Sequence, residues 1–294
     1  MNRVRQLPKA VGKSVAALAR GRHVIVIPDA PPLVPRYGHG RPPHALLAAL
    51  IERGRAGYRR TLADMLPFTD DLARIPRERP AHVAVAEFAE PCWNNRWLPG
   101  LDSAALYGMI VLNRPKRYVE IGSGNSTLFA RRAIRDQGLS TTITSIDPQP
   151  REIVDGACDV VVRSPVQDAD LALFDDLEPG DILFVDSSHR AFTNSDVTVV
   201  FLDILPRLRP GVLVQFHDIW LPEDYQPAWS NRYYNEQYLL ATMLLLCDRF
   251  EIVLPNHFIT HDEPLRKVLA PLWSRPELAG IRRDGASFWI RRRP

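Results

Sequence analysis

Two short stretches hold the side chains best suited to proton or cation chemistry. Phe184-Val185-Asp186-Ser187-Ser188-His189 closes one apolar run, and Phe216-His217-Asp218-Ile219 closes another. A carboxylate holds cations and orients imidazoles, and an imidazole changes charge near neutral pH. Brought to one rim, Asp186, His189, His217 and Asp218 would be costly unless hydrogen-bonded, bound to a cation, or used to move protons. The plainer alternative for either histidine is a satisfied rim residue.

A glycine turn lies upstream of both. Tyr118, Val119 and Ile121 read as the end of a buried parallel strand, Glu120, Gly122 and Gly124 as a tight turn, and Leu128 to Ile134 as a helix. Strand, glycine turn and helix form the nucleotide-binding half of an α/β sheet. The glycines let backbone approach a ligand where a Cβ would clash. Asn125, Ser126 and Thr127 are the candidate caps of the helix. Glu120, two residues before the first glycine, would repel a pyrophosphate. A ligand with a positive centre and no phosphate tolerates it.

This stretch resembles the first motif of class I S-adenosylmethionine-dependent methyltransferases, E/D-x-G-x-G. The resemblance implies cofactor contacts from Glu120, Gly122, Ser123, Gly124, Asn125 and Ser126. Asp147 follows Thr127 by 20 residues, at the end of a strand candidate over Thr142 to Ile146. There a carboxylate meets a ribose diol in this architecture, accepting from both hydroxyls. In the family, the loop after the third strand borders the adenine, which implies roles for Val166, Gln167 and Asp168.

In the sheet order this resemblance implies, the strands ending at Val185 and Phe216 are neighbours, about 5 Å apart. Asp186, His189, His217 and Asp218 then converge beside the methyl donor. D-x-x-H followed by an acidic pair resembles the magnesium-dependent sugar and macrolide O-methyltransferases. That pattern makes Asp186 and Asp218 metal ligands and His189 the base. His217 departs from it, standing where the pattern has a carboxylate. Hard Mg²⁺ prefers oxygen, so His217 reads instead as a second base or a ligand for a softer ion.

The chain has 294 residues, 46% hydrophobic and 24% charged, enough for one large α/β domain with an extension. A net charge of +3 gives a nucleic-acid partner no global electrostatic support. Its only lysines are Lys9, Lys13, Lys116 and Lys267, and the abundance of arginine suggests a GC-rich, bacterial genome. Cys92, Cys158 and Cys247 show neither zinc spacing nor a disulfide framework, so a reducing cytoplasm is expected. No apolar run has membrane-spanning length, and no signal peptide is visible.

Residues 1 to 22 are basic, without an acid, and apolar at helical spacing. They fit a helix on an anionic membrane surface, although a first helix packed on its own domain, or a frayed terminus, is favoured. His23 to Ile27 is a strand candidate, followed by a proline-rich connection to Pro43. Residues 44 to 66 read as helical, with Leu46, Leu47, Leu50 and Ile51 on one face, weakened at Gly54 and Gly57. A short helix over Asp70 to Ile75 and a strand at Val83 to Val85 follow. Trp93, Asn94, Asn95, Arg96 and Trp97 then share a loop that either meets a polar ligand or pins the extension to the main domain. Further strands are expected at 159–163, 181–185, 212–216, 250–254 and 287–291, alternating with helices. Trp220, Tyr225, Trp229, Tyr233 and Tyr234 crowd one irregular stretch, which reads as an acceptor-side loop or as core. His257 and His261 sit in a late insertion without ligand spacing.

The expected fold is α/β: a doubly wound, mostly parallel, seven-stranded Rossmann-like sheet with an antiparallel last strand and a mainly helical N-terminal extension. The expected division is 1–100, an acceptor-side lid, and 101–294, the S-adenosylmethionine-binding domain. The expected function is O-methylation of a small molecule, glycan or glycolipid, with a histidine base and with Mg²⁺ as an option. An N-methyltransferase and a catalytically silent S-adenosylmethionine-binding module are the alternatives, and a homo-oligomer is left open.

Overall fold

The order of strands decides where the site lies. In the computed structural model, which describes residues 34–80, 90–150 and 154–294, one seven-stranded sheet runs β3-β2-β1-β4-β5-β7-β6. The strands are β1 (Arg117–Ile121), β2 (Thr142–Ile146), β3 (Val160–Val162), β4 (Ile182–Val185), β5 (Leu213–Phe216), β6 (Phe250–Pro255) and β7 (Phe288–Arg292). β1 to β5 pair in parallel, and β7 lies antiparallel between β5 and β6. The expected sheet is therefore present. The membrane-surface reading of residues 1–22 and the strand candidates at 23–27 and 83–85 lie outside the described residues.

The chain leaves β1 for β2 on one side and later returns to β4 on the other. In open α/β sheets, ligands sit beyond the carboxyl ends of the strands at such a reversal. The register sets the rim. Ile121 pairs with both Ile146 and Val185, and Val185 pairs with Phe216. The next residue of each strand is Gly122, Asp147, Asp186 or His217, so four of the expected site residues share one edge. Backbone bonds continue one step into it: Gly122 N–H donates to Ile146, Asp186 N–H to Ile121 and His217 N–H to Val185, at 2.9–3.0 Å.

Residues 35–294 form one compact unit, so residues 35–99 belong with the sheet. Helix Gly100–Asn113 is buried along nearly its whole length, and a Cβ on Gly108 would lie 2.5 Å from Met65 Cγ. The helix expected over 44–66 is two, Ala45–Glu52 and Arg55–Asp64. The break falls at Gly54, against the Tyr58 ring, whose hydroxyl donates to the Ile51 carbonyl at 2.9 Å. Leu47 and Ile51 are buried, but Leu46 is exposed. The expected single face is narrower because residues 46 and 47 are about 100° apart on a helix. Among the described residues, no helix is long and apolar enough to cross a membrane. The three cysteines are free thiols.

Candidate active site

Two cavities open at the rim and meet along Asp186, Ser187 and Ser188. The smaller, about 360 Å³, is lined by Gly122, Ser123, Asp147, Val166, Gln167 and neighbours. Asp147 is held in place from both sides. Its Oδ2 accepts from Ser123 N–H at 2.8 Å and its Oδ1 from Gln149 N–H at 2.7 Å. Each oxygen keeps a lone pair for a further donor such as a ribose hydroxyl. Val166 is buried and lines the same cavity. Gln167 donates through Nε2 to the Asn194 carbonyl at 3.2 Å, while its Oε1 is buried with no partner among the described residues. An adenine amino group is a donor of the kind that oxygen lacks. Asp168 is exposed and does not line this cavity.

The two glycines do different work. Gly122 has φ +83°, and a Cβ there would come within 2.2 Å of the Asp186 carbonyl. Its close approach is to β4 rather than to a ligand. A Cβ on Gly124 would meet nothing within 4 Å, so this is the position that leaves open space. The helix opening there spans Asn125–Asp136, with Gly124 at its cap position, so Asn125 and Ser126 fall inside it. Gly124 N–H donates to Thr127 Oγ1 at 3.1 Å.

Glu120 does not line the cavity. It is fully buried behind the turn, accepting from the Thr127 hydroxyl and, at 3.3 Å, from the Tyr118 hydroxyl. Burial pushes its carboxyl up to about 8, against the hydroxyls of Ser126, Thr127 and Tyr118. Its contacts are those of a brace for the turn. The sequence does not distinguish the two roles, because both need a polar side chain at the strand end.

The larger cavity, about 670 Å³, is lined by Asp186, His189, His217 and Asp218 among others. His189 Nδ1 lies 2.8 Å from Glu236 Oε2. Its Nε2 lies 3.3 Å from Asp186 Oδ1 and 3.8 Å from Asp218 Oδ2. His217 Nδ1 is 3.5 Å from Asp186 and 3.7 Å from Asp218, and its Nε2 is 3.8 Å from Asp102. Asp186, His189, His217 and Asp218 thus stand together. His189 and Asp218 have φ near +60°, a conformation costing a non-glycine residue roughly 1–3 kcal/mol and concentrated at functional sites.

Charge separates the two imidazoles from free ones. Burial disfavours the His189 cation, but Asp186 and Glu236 outweigh it and hold the group well above its ordinary range. Burial likewise opposes the His217 cation, yet Asp218, Asp186 and Asp102 push it up to about 9. Asp186, despite burial, is held well below the carboxylate range by His217 and His189. Both imidazoles are thus held above the near-neutral range of a free imidazole. His217 differs from His189 in one respect: both its ring nitrogens are buried without a hydrogen bond among the described residues.

Sequence reasoning missed three supports. Glu236 opens helix Glu236–Leu246, is fully buried, and accepts from Ser187 Oγ at 2.9 Å as well as facing His189. Asp102, in the first turn of Gly100–Asn113, accepts from Ala286 N–H and Ser287 N–H at 2.9 Å and from Asn256 at 2.7 Å. Asp196 accepts from Ser188 N–H and Oγ at 2.6 Å. Each reads locally as an ordinary acid in the first turn of a helix, and only the fold brings it to the site.

The aromatic loops divide between the two expected readings. Trp93 is 2% exposed, packs edge-on against Phe129 and Trp273, and donates to the Leu72 carbonyl. Trp97 is 48% exposed and lines the large cavity. Trp220, Trp229 and Tyr234 line it too, whereas Tyr225 is buried and Tyr233 exposed outside it.

Asp186 and Asp218 do not fit Mg²⁺ in this arrangement. Both carboxylates face the same two imidazoles, which already supply the countercharge. Among the described residues, no group of three or more His, Cys, Asp or Glu side chains is placed to hold a metal ion.

Residues 119–219 match a family model described as a methyltransferase domain. An uncharacterized protein of Archaeoglobus fulgidus is 36% identical over 94 residues, 29% of this chain and 41% of that protein. The chain thus spans about two fifths of the length of that curated relative. Among solved structures, the SAH-bound Podospora anserina methyltransferase PaMTH1 aligns with 65% of this chain and 78% of its own, at 16% identity and TM-score 0.40. An O-methyltransferase from Bacillus cereus in complex with SAH covers 65% and 81%, at 18% and 0.35. At these scores they are likenesses only. The family match spans β1 to the end of β5, the part that builds the glycine turn, Asp147 and the Asp186 rim, so the stretch over residues 119–219 is the one that matches a methyltransferase domain.

Proposed function

We propose that this protein methylates a hydroxyl group of a small molecule, glycan or glycolipid, with S-adenosylmethionine in the smaller cavity and the acceptor in the larger. The carrying observation is the junction of the two cavities at Asp186-Ser187-Ser188, with both histidines beside it. Asp147 would hold the ribose, Gln167 and Val166 the adenine, and the turn from Gly122 to Ser126 the remaining chain. When bound, S-adenosylmethionine supplies an electrophilic methyl group.

The protein's own residues position the hydroxyl and take its proton. His189 has Nδ1 committed to Glu236 by a hydrogen bond. His217 has none committed, so it is the better acceptor of that proton, and Asp186, Asp218 and Asp102 stabilise the imidazolium formed. His189 then fixes the two carboxylates. Residues 35–99 contribute Arg96, Trp97 and Pro99 to the acceptor wall, which supports reading the N-terminal extension as an acceptor-side wall or lid rather than a separate domain.

The test is transfer of labelled methyl from S-adenosylmethionine to a panel of hydroxylated and amino acceptors. Wild-type protein should label hydroxyls, with turnover unchanged by EDTA. His217→Ala should cut turnover by about 10²–10⁴ with affinity for S-adenosylhomocysteine retained. Loss confined to His189→Ala would move the base to His189. Labelled amines alone would replace O- by N-methylation, cofactor binding with no transfer would favour the silent module, and activity lost to EDTA and restored by Mg²⁺ would reinstate the metal.

A further inference from the structure

The charges lining the acceptor cavity do not cancel. Its wall carries four arginines, Arg96, Arg190, Arg232 and Arg282, and three aspartates, Asp186, Asp218 and Asp284. Asp284 is committed to Arg282, whose Nε donates to it at 3.0 Å. Asp186 and Asp218 face His189 and His217. Among the described residues, no carboxylate pairs with Arg96, Arg190 or Arg232.

Arg190 and Arg232 are half-buried and fixed. Arg232 lies over the Trp229 ring at 4.0 Å, and Arg190 over Tyr234 at 5.1 Å. Arg190 Nε donates to the Arg232 carbonyl at 2.7 Å, and its Nη1 to Ser188 at 3.3 Å. Its Nη2, like Arg232 Nε and Nη2, has no acceptor among the described residues. Guanidiniums lie over the rings of Trp229 and Tyr234, so these aromatics serve as supports for cations. Placing uncompensated cations together in a cavity raises the local concentration of anions. A fork of guanidinium donors matches the oxygens of a carboxylate or phosphate.

We infer that the acceptor is an anion, carrying a carboxylate, phosphate or sulfate that Arg190, Arg232 and Arg96 engage while its hydroxyl reaches the junction beside Asp186. The inference rests on the larger cavity being the acceptor site. It goes further in giving that acceptor a charge, and in making three arginines the residues that select it.

Calorimetry with matched probes tests it without requiring turnover. 3,4-Dihydroxybenzoate is compared with catechol, and glucose 6-phosphate with glucose, each with S-adenosylhomocysteine present. The charged member of at least one pair should bind tenfold or more tightly at low salt, and added KCl should shrink the preference. Which pair shows it separates a carboxylate from a phosphate ligand. Arg190→Gln and Arg232→Gln should each weaken the charged probe severalfold and leave the neutral one unchanged. Exposed Arg96→Gln provides the same reading if those two fail to fold. Equal binding of charged and neutral members in both pairs, no binding of either anion at millimolar concentration, or a preference that survives loss of all three arginines would overturn the inference. Methyl transfer to charged and neutral probes alike would also overturn it, whereas an anion preference with no methyl transfer to any probe would count against the methyltransferase reading instead.

Discussion

The two cavities are built on opposite plans. The smaller is made by the ends of β1, β2 and β4, and its key groups are tied to backbone: Asp147 to Ser123 and Gln149 N–H, Gly122 to the Ile146 carbonyl of β2. The larger draws its lining from residues near 96–99, 186–190, 217–234, 257–261 and 282–286, and its histidines and aspartates face one another's side chains. A site made by strand ends has few ways to vary, because sheet register sets the spacing. One made by loops can change its acceptor without disturbing the sheet. On the proposed function, cofactor and acceptor would be held by largely different parts of the chain, joined at Asp186-Ser187-Ser188.

The largest expected effect comes from removing part of the loop-built side. A chain shortened to begin at Ser103 loses Met65 against Gly108 and Trp93 against Phe129 and Trp273. It should aggregate or bind S-adenosylhomocysteine poorly, because a large apolar surface is then exposed. Residues 1–99 alone should show no cooperative melt by circular dichroism. An independent melt of that segment would make the acceptor wall a domain in its own right and dissolve the contrast.

A smaller effect separates the cavities directly. Asp147→Ala should weaken S-adenosylhomocysteine binding by about 1–3 kcal/mol, the cost of leaving buried polar partners unpaired. Binding of 3,4-dihydroxybenzoate in the other cavity should hold. Calorimetry on both ligands reads the pair. If both affinities fall together, the cavities are coupled rather than separate, and unchanged cofactor affinity removes Asp147 from the site.

This contrast also explains what was legible in the sequence. The seven-stranded sheet, the glycine turn and Asp147 could be read because strand, turn and helix leave local patterns of period and spacing. Asp186, His189, His217 and Asp218 were found because each sits at or just past a strand end. Glu236 and Asp102 were not, since each reaches the site from a separate helix and resembles a common first-turn acid. What Gly122 and Glu120 pack against was not legible for a related reason. What a glycine or a buried carboxylate makes room for depends on the neighbouring strand, and the sequence does not print that neighbour. The Arg190–Tyr234 and Arg232–Trp229 stacks, too, exist only once residues 188–190 lie beside 229–234.

The mildest test varies only protons. The base must be unprotonated to act, and His217 is raised to about 9. Turnover at saturating substrate should therefore climb with pH from 6, about tenfold per unit on the acid limb, and level off where His217 loses its proton. Bound S-adenosylmethionine places a second positive charge in the site, and a like charge disfavours the imidazolium. The midpoint in kcat should accordingly lie below about 9, while kcat/KM, which reports the free enzyme, should keep the higher value. Stability should run the other way. A histidine whose folded pKa is raised contributes stability that is fully present below its unfolded value of about 6.5 and lost as pH rises through about 9. Urea midpoints should thus fall between pH 7 and 9.5, and His217→Asn should reduce that fall and flatten the rate profile. A rate flat from pH 6 to 9 would remove the imidazole from proton transfer, leaving the acceptor cavity a positioning device like its neighbour.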